Sequence, residues 1–178
     1  MSESISVMYT EEQVDSKIRE LGAKISEDMD GKPLKVVCIL KGASFFACEL
    51  AKRITVPVSI DFMSVSSYGN GTESTGNVKI VKDLDSPIEG ENVLIVEDII
   101  DSGCTLDFLA RHFKNSGAES VRICALLSKP SRRVVEVPAD YIGYEIPDVF
   151  VVGYGLDYAQ KYRNLPYIGV VEFIEDGK

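Results

Sequence analysis

At 178 residues the chain is long enough for one domain with a full hydrophobic core, and a single domain over 1–178 is expected. With 45% apolar and 26% charged residues it is neither disordered nor fibrous. Its formal charge of −9 argues against nucleic acid as a partner, because phosphates must be met by Lys and Arg. No apolar run approaches the roughly 20 residues that cross a bilayer, and the first residues show no basic-then-apolar leader. No membrane role is therefore expected, and the cytoplasm is the expected compartment. Cys38, Cys48, Cys104 and Cys124 form no Cys-x-x-Cys pair, and the three in apolar runs (38, 48 and 124) read as reduced core residues rather than zinc ligands or disulfides.

Thr10 followed by Glu11, Glu12 and Gln13 matches a capping box, and Val14, Ile18, Leu21 and Ile25 mark one face of the helix it opens. Asp30-Gly31-Lys32-Pro33 ends that helix, and Leu34 to Leu40 is an apolar strand. Lys41 and Gly42 follow at its end, a pairing that suits close approach of backbone to an anion but is also plain turn chemistry. Phe45, Phe46, Leu50 and Ala51 indicate a helix behind it. Val56 to Val65 reads as a strand, and Val78 to Val81 resumes the strand pattern. Between them, Ser66 to Gly76 is polar and Gly-rich, either a mobile hairpin tip or a lid closing over a reacting centre. Gly71 to Gly76 has Walker A spacing, but Asn77 and Val78 replace the required Lys and Ser or Thr. Ser74 likewise breaks a dinucleotide fingerprint begun by Gly69 and Gly71.

The most informative stretch is Asn92 to Leu106. Val93 to Val96 is unbroken apolar sequence, as expected of a parallel strand covered on both faces. Glu97, Asp98 and Asp101 then fall at its carboxyl end, where open α/β sheets bind ligands. Ser102-Gly103-Cys104-Thr105 leads into Leu106, Leu109 and Phe113 at helical spacing, which places a turn at a helix N-terminus and so a cradle for phosphate. Carboxylates beside an anion cradle make sense for a ligand that also carries hydroxyls and a bound Mg²⁺, such as a sugar phosphate. Gly117 closes that helix and Val121 to Leu127 forms another strand, followed by Lys129, whose ammonium can donate to a ligand carbonyl. Tyr167 to Val171 is the closing strand.

The run from Val93 to Thr105, Val-Leu-Ile-Val-Glu-Asp-Ile-Ile-Asp-Ser-Gly-Cys-Thr, resembles the phosphoribosyl pyrophosphate (PRPP) motif of type I phosphoribosyltransferases. The block from Tyr141 to Arg163 resembles the hypoxanthine-guanine branch of that family. The resemblance implies an α/β fold in which helices flank a central, mainly parallel twisted sheet, with a small hood and a flexible lid loop opening at Ser67 and Tyr68. It also implies a cis Leu40–Lys41 peptide. The implied reaction moves the 5-phosphoribosyl group of PRPP to N9 of a 6-oxopurine, hypoxanthine or guanine, giving IMP or GMP and pyrophosphate. Lys41, Gly42 and Arg163 would hold pyrophosphate. Glu97 and Asp98 would hold the ribose hydroxyls directly or through Mg²⁺, and Ser102, Gly103, Cys104 and Thr105 the 5′-phosphate. Asp101 would handle the proton at N7 of the base, and Lys129 would read O6. Phe150 would stack on the purine, Val151 and Asp157 would offer carbonyls, and the Asp157 carboxylate would reach a metal. A homodimer or homotetramer is implied as well.

A xanthine-using enzyme and a non-enzymatic, RNA-binding regulatory relative are the alternatives within that fold, and the acidic charge disfavours the latter. A cysteine phosphatase would need Arg at position 110, where Ala110 stands. A response-regulator receiver would carry its acidic pair near the domain start, whereas nearly a hundred residues precede this one. His112, the one histidine, falls within a helix and is assigned no role.

Overall fold

The structure, a computed structural model, describes residues 2–68 and 77–174. A six-stranded sheet carries the chain's centre: β2 (Leu34–Leu40), β3 (Val58–Tyr68), β4 (Asn77–Lys82), β5 (Asn92–Ile100), β6 (Ser120–Ser128) and β7 (Tyr141–Glu145), ordered β4-β3-β2-β5-β6-β7. All neighbours are parallel except β4, which runs antiparallel on the edge beside β3. Helices α1 (Glu11–Met29) and α2 (Ser44–Ala51) cover one face and α3 (Cys104–Asn115) the other.

Double coverage explains why the central strands are apolar without alternation. Val36, Cys38, Leu94 and Val96 pack with Ile18, Ile25, Phe46 and Leu50 on the first face. The intervening Val37, Ile39, Val93 and Ile95 pack with Leu106, Leu109 and Phe113 on the second. The capping box at Thr10 forms as expected, its hydroxyl accepting from the Gln13 amide at 3.3 Å while Gln13 Oε1 accepts from the Thr10 amide at 2.9 Å.

A second, three-stranded antiparallel sheet stands apart, ordered β1 (Ser2–Tyr9), β9 (Ile168–Ile174) and β8 (Val151–Val152). It is the hood. Tyr9 of β1 stacks on Tyr144 of β7 with ring centres 3.9 Å apart, which joins the two sheets.

Several expectations need correction. β3 begins at Val58 rather than Val56 and runs on through Ser66, Ser67 and Tyr68, which pair with β4 instead of opening a loop. The remainder of the expected lid, 69–76, and the side chains of Ser67 and Tyr68 lie outside the described residues. Cys48 is exposed rather than core, because it falls on the solvent side of α2, while Cys38 and Cys124 are buried; all four thiols are free.

Candidate active site

Because β2 and β5 are parallel neighbours, the turns that follow them open on the same edge of the sheet. The Leu40–Lys41 peptide is cis, as expected. Lys41 is exposed, and Gly42 lies directly against the Asp98 carboxylate: a methyl group on Gly42 would overlap Oδ2 and sit 2.6 Å from Cγ. On its other side the Gly42 carbonyl meets Gly155, whose φ of +100° and lack of a side chain let the hood segment close on the loop. Asp98 at the end of β5, Gly42 in the turn after β2 and Gly155 in the hood segment thus stack in contact.

Gly155 also seats Arg163. Its amide donates to the Arg163 carbonyl at 2.9 Å, and its own carbonyl accepts from Arg163 Nη1 at 2.7 Å. The Nη2 of that guanidinium is 2.8 Å from Asp157 Oδ1, and the second Asp157 oxygen accepts from the Gln160 amide at 2.7 Å. Arg163 is therefore held as a fork whose carrier loop touches the Lys41-Gly42 turn.

β5 continues past its apolar run, so Glu97 and Asp98 are strand residues and Asp101 is the first residue beyond. Glu97 Oε1 accepts from the Asp98 amide at 3.2 Å and Asp98 Oδ1 from the Ile99 amide at 2.8 Å. Burial, together with the adjacent Asp98 charge, pushes Glu97 well above the usual carboxylate range, and burial raises Asp98 too. Two neighbouring carboxylates in that condition suit an incoming cation. Among the described residues no cluster of three or more His, Cys, Asp or Glu side chains is gathered as a metal cage, so Asp157 does not join Glu97 and Asp98. The pair fits Mg²⁺ nevertheless, an ion that takes one or two carboxylates and completes its shell with water and substrate oxygens.

The turn at 101–103 enters α3, so the expected placement of Ser102 to Thr105 at a helix N-terminus is met. Gly103 is the N-cap of α3 at φ +85° and brings no capping side chain of its own. The open amides of the helix are available to an anion. Glu97, Asp98, Asp101, Ser102, Gly103 and Thr105 line one opening of about 180 Å³. Cys104 is not part of that lining, and its amide donates to Ser102 Oγ at 3.3 Å.

Beyond the end of β6, the Lys129 amide donates to the Ile100 carbonyl at 2.9 Å, and its side chain is only 11% exposed. Phe150 presents a ring that is 46% exposed and buttressed edge-on by Tyr158, with centres 5.5 Å apart. Val151 is buried in β8, held by its partner Val170. Sequence reasoning passed over four neighbours. Arg133 Nη1 donates to the Asp101 carbonyl at 2.5 Å and Nη2 to Ser128 Oγ at 2.7 Å, tying the ends of β5 and β6. Arg132 and Asp148 pair with Asp101 and Lys129. The Arg-Arg pair so soon after Lys129 was the available signal; nothing local marks Asp148 or Gly155.

Comparison with known proteins agrees with this geometry. The family model for the phosphoribosyl transferase domain matches residues 7–159. A Bacillus subtilis hypoxanthine-guanine phosphoribosyltransferase is 53% identical over 167 residues, covering 93% of this chain and 92% of that one. The crystal structure of a Staphylococcus aureus hypoxanthine phosphoribosyltransferase superposes with a TM-score of 0.91 at 51% identity, over 94% of this chain and 91% of that one. A Bacillus anthracis hypoxanthine-guanine phosphoribosyltransferase, crystallised with a HEPES molecule in its active site, gives 0.91 at 46% identity, over 97% and 100%. Sequence motif, sheet order and site geometry converge: the chain belongs to the type I phosphoribosyltransferase family.

Proposed function

We propose that the protein is a purine salvage enzyme that transfers the 5-phosphoribosyl group of PRPP to N9 of hypoxanthine or guanine. The bond from C1′ to pyrophosphate oxygen breaks, the bond from C1′ to N9 forms, and the proton displaced from the base is taken up beside N7. One observation carries the reading: the acidic end of β5 and the open amides at the start of α3 line the same opening, as a ribose 5-phosphate requires.

Ser102, Gly103, Cys104 and Thr105 hold the 5′-phosphate through backbone amides and hydroxyls. Glu97 and Asp98 take the ribose hydroxyls. Mg²⁺, when bound, neutralises pyrophosphate as it departs. Glu97 and Asp98 would hold it, with Asp157 reaching a second ion through water. The Lys41-Gly42 turn and Arg163 orient the pyrophosphate, a task suited to a bidentate guanidinium. Phe150 stacks on the purine, with the carbonyls of Val151 and Asp157 at its edge. Asp101 exchanges the proton at N7, and Lys129 donates to O6.

Lys129 sets the class of base. Adenine carries a donor where a 6-oxopurine carries an acceptor, so the ammonium would face another donor. Turnover of hypoxanthine, guanine, xanthine and adenine with PRPP and Mg²⁺ tests this. Hypoxanthine and guanine are expected to be used, with adenine lower in kcat/KM by about 10⁴-fold. Comparable values for adenine would overturn the assignment, and absent pyrophosphate release would leave a regulatory relative. A single domain over 1–178, residence in the cytoplasm and a homodimer or homotetramer complete the proposal. The assembly state rests on analogy with the family and is read by sedimentation.

A further inference from the structure

We propose that Arg132 and Asp148 are positioning residues, forming a bridge that ties the O6-reading ammonium of Lys129 to the proton-exchanging carboxylate of Asp101. The inference rests on the function proposed above and adds to it a device that fixes the spacing of the two groups meeting adjacent edges of the purine.

Four side chains from three loops make up the bridge. Asp101 follows β5, Lys129 and Arg132 frame the 3₁₀ turn Pro130–Arg132 after β6, and Asp148 follows β7. Arg132 Nε is 3.2 Å from Asp101 Oδ1, and Arg132 Nη1 is 3.7 Å from Asp148 Oδ2. Lys129 Nζ is 3.7 Å from Asp148 Oδ1. Each carboxylate oxygen of Asp148 thus faces a different cation, and the guanidinium faces a different carboxylate with each of two nitrogens. Charges alternate along the row and sum to zero.

A guanidinium is planar and rigid, so the carboxylates it joins are held at a set separation, which a single ammonium cannot do. The Lys129 side chain is largely enclosed, and its ammonium is the part that faces Asp148. Among the described residues Asp148 is the carboxylate paired with that group. An ammonium has three donors, so a contact with Asp148 leaves others for a purine O6. The platform is fixed from behind: the Arg132 amide donates to the Lys129 carbonyl at 3.1 Å, and Arg133 clamps the Asp101 carbonyl to Ser128. Asp101, Arg132 and Asp148 are about half exposed, at 49%, 54% and 51%. Exposed pairs add little to stability, so cutting the bridge leaves the fold intact and its effect falls on kinetics.

Steady-state kinetics of the full chain with PRPP, Mg²⁺ and hypoxanthine test the bridge. Asp148→Asn is expected to raise KM for hypoxanthine about 5–20-fold while KM for PRPP stays within about twofold. Arg132→Gln is expected to lower kcat about 3–10-fold, again without moving KM for PRPP. The double variant should lose about as much kcat/KM as the worse single, because one unit has been cut twice. Asp148→Glu should recover most of the loss, whereas Arg132→Lys should not. Single variants indistinguishable from wild type would overturn the bridge, as would effects that multiply in the double variant or KM for PRPP rising in step. An inactive wild type would instead defeat the proposed function, so the two failures are told apart.

Discussion

Replacing Gly42 with alanine isolates the contact between the Lys41-Gly42 turn and the acidic strand end. Gly42 is not among the glycines with positive φ, so alanine can adopt its backbone. Its new methyl group would overlap Asp98 Oδ2 and stand 2.6 Å from Cγ and 3.3 Å from Oδ1. Retreat of the turn is blocked, because the Gly42 carbonyl already abuts Gly155. Asp98 must therefore give way by more than about 1 Å, and a misplacement of that size can cost about 10²-fold in rate. The hydrogen bond from the Ile99 amide to Asp98, 2.8 Å long, goes with it. That loss is worth about 1 kcal/mol, or about 2–4 °C in Tm for a chain of this size. Initial rates of IMP formation at varied PRPP, with a melting curve, measure both quantities. The expectation is a fall in kcat/KM for PRPP of about 100-fold with a folded protein. A folded variant within about threefold of wild type would refute the argument that this contact places Asp98.

Asp101→Asn should lower kcat by about 10²–10⁴-fold while isothermal titration still shows PRPP binding with Mg²⁺; an unchanged kcat removes Asp101 from proton exchange. Glu97 bears on stability against pH. Its folded-state pKa lies above the unfolded value of about 4.3, so its stabilising contribution is present below that value and is lost as pH rises towards the folded one. In cation-free buffer Tm should accordingly fall across that window, and Glu97→Gln should flatten the fall; an identical slope in the variant contradicts the assignment. Burial pushes the Cys38 thiol up to about 12 and Cys124 higher still, which leaves little thiolate on either at neutral pH. A thiol-specific reagent should thus modify native protein at Cys48 and, more slowly, at Cys104, with PRPP protecting only Cys104, as peptide mapping would show.

The fold was legible wherever one local signal governed the outcome. Leu34 to Leu40 is apolar at every position except Lys35, and it forms a strand with those same ends. Thr10 to Gln13 spelled out a helix start that formed bond for bond. Legibility failed where the partner was distant or the element short. β1 alternates weakly and is fixed by β9, with Ser2 opposite Ile174, a pairing that no local pattern encodes. Gly143 weakens the strand reading of β7, yet a side chain there would strike the Leu126 carbonyl, so close packing requires the residue that obscures the pattern. Val151 and Val152 are too short a run to read as strand at all. The site divides the same way. The carboxylates at the end of β5 and the turn into α3 are contiguous and were readable, whereas the contacts of Asp148 and Gly155 exist only in the folded chain.

The hood has a consequence for how the protein is made. Phe150 and Val151, the residues proposed to meet the base, stand at the entry to β8, whose ladder partner is β9: Val151 pairs with Val170, and the Phe150 carbonyl accepts from the Val171 amide at 2.9 Å. A ribosome delivers residues in order, so β8 has no ladder partner until the segment around 168–174 has emerged, after the turn at 101–105 could form. A nascent chain can thus form the turn at 101–105 and present Lys129 before β9 is there to hold Phe150 and Val151 in place.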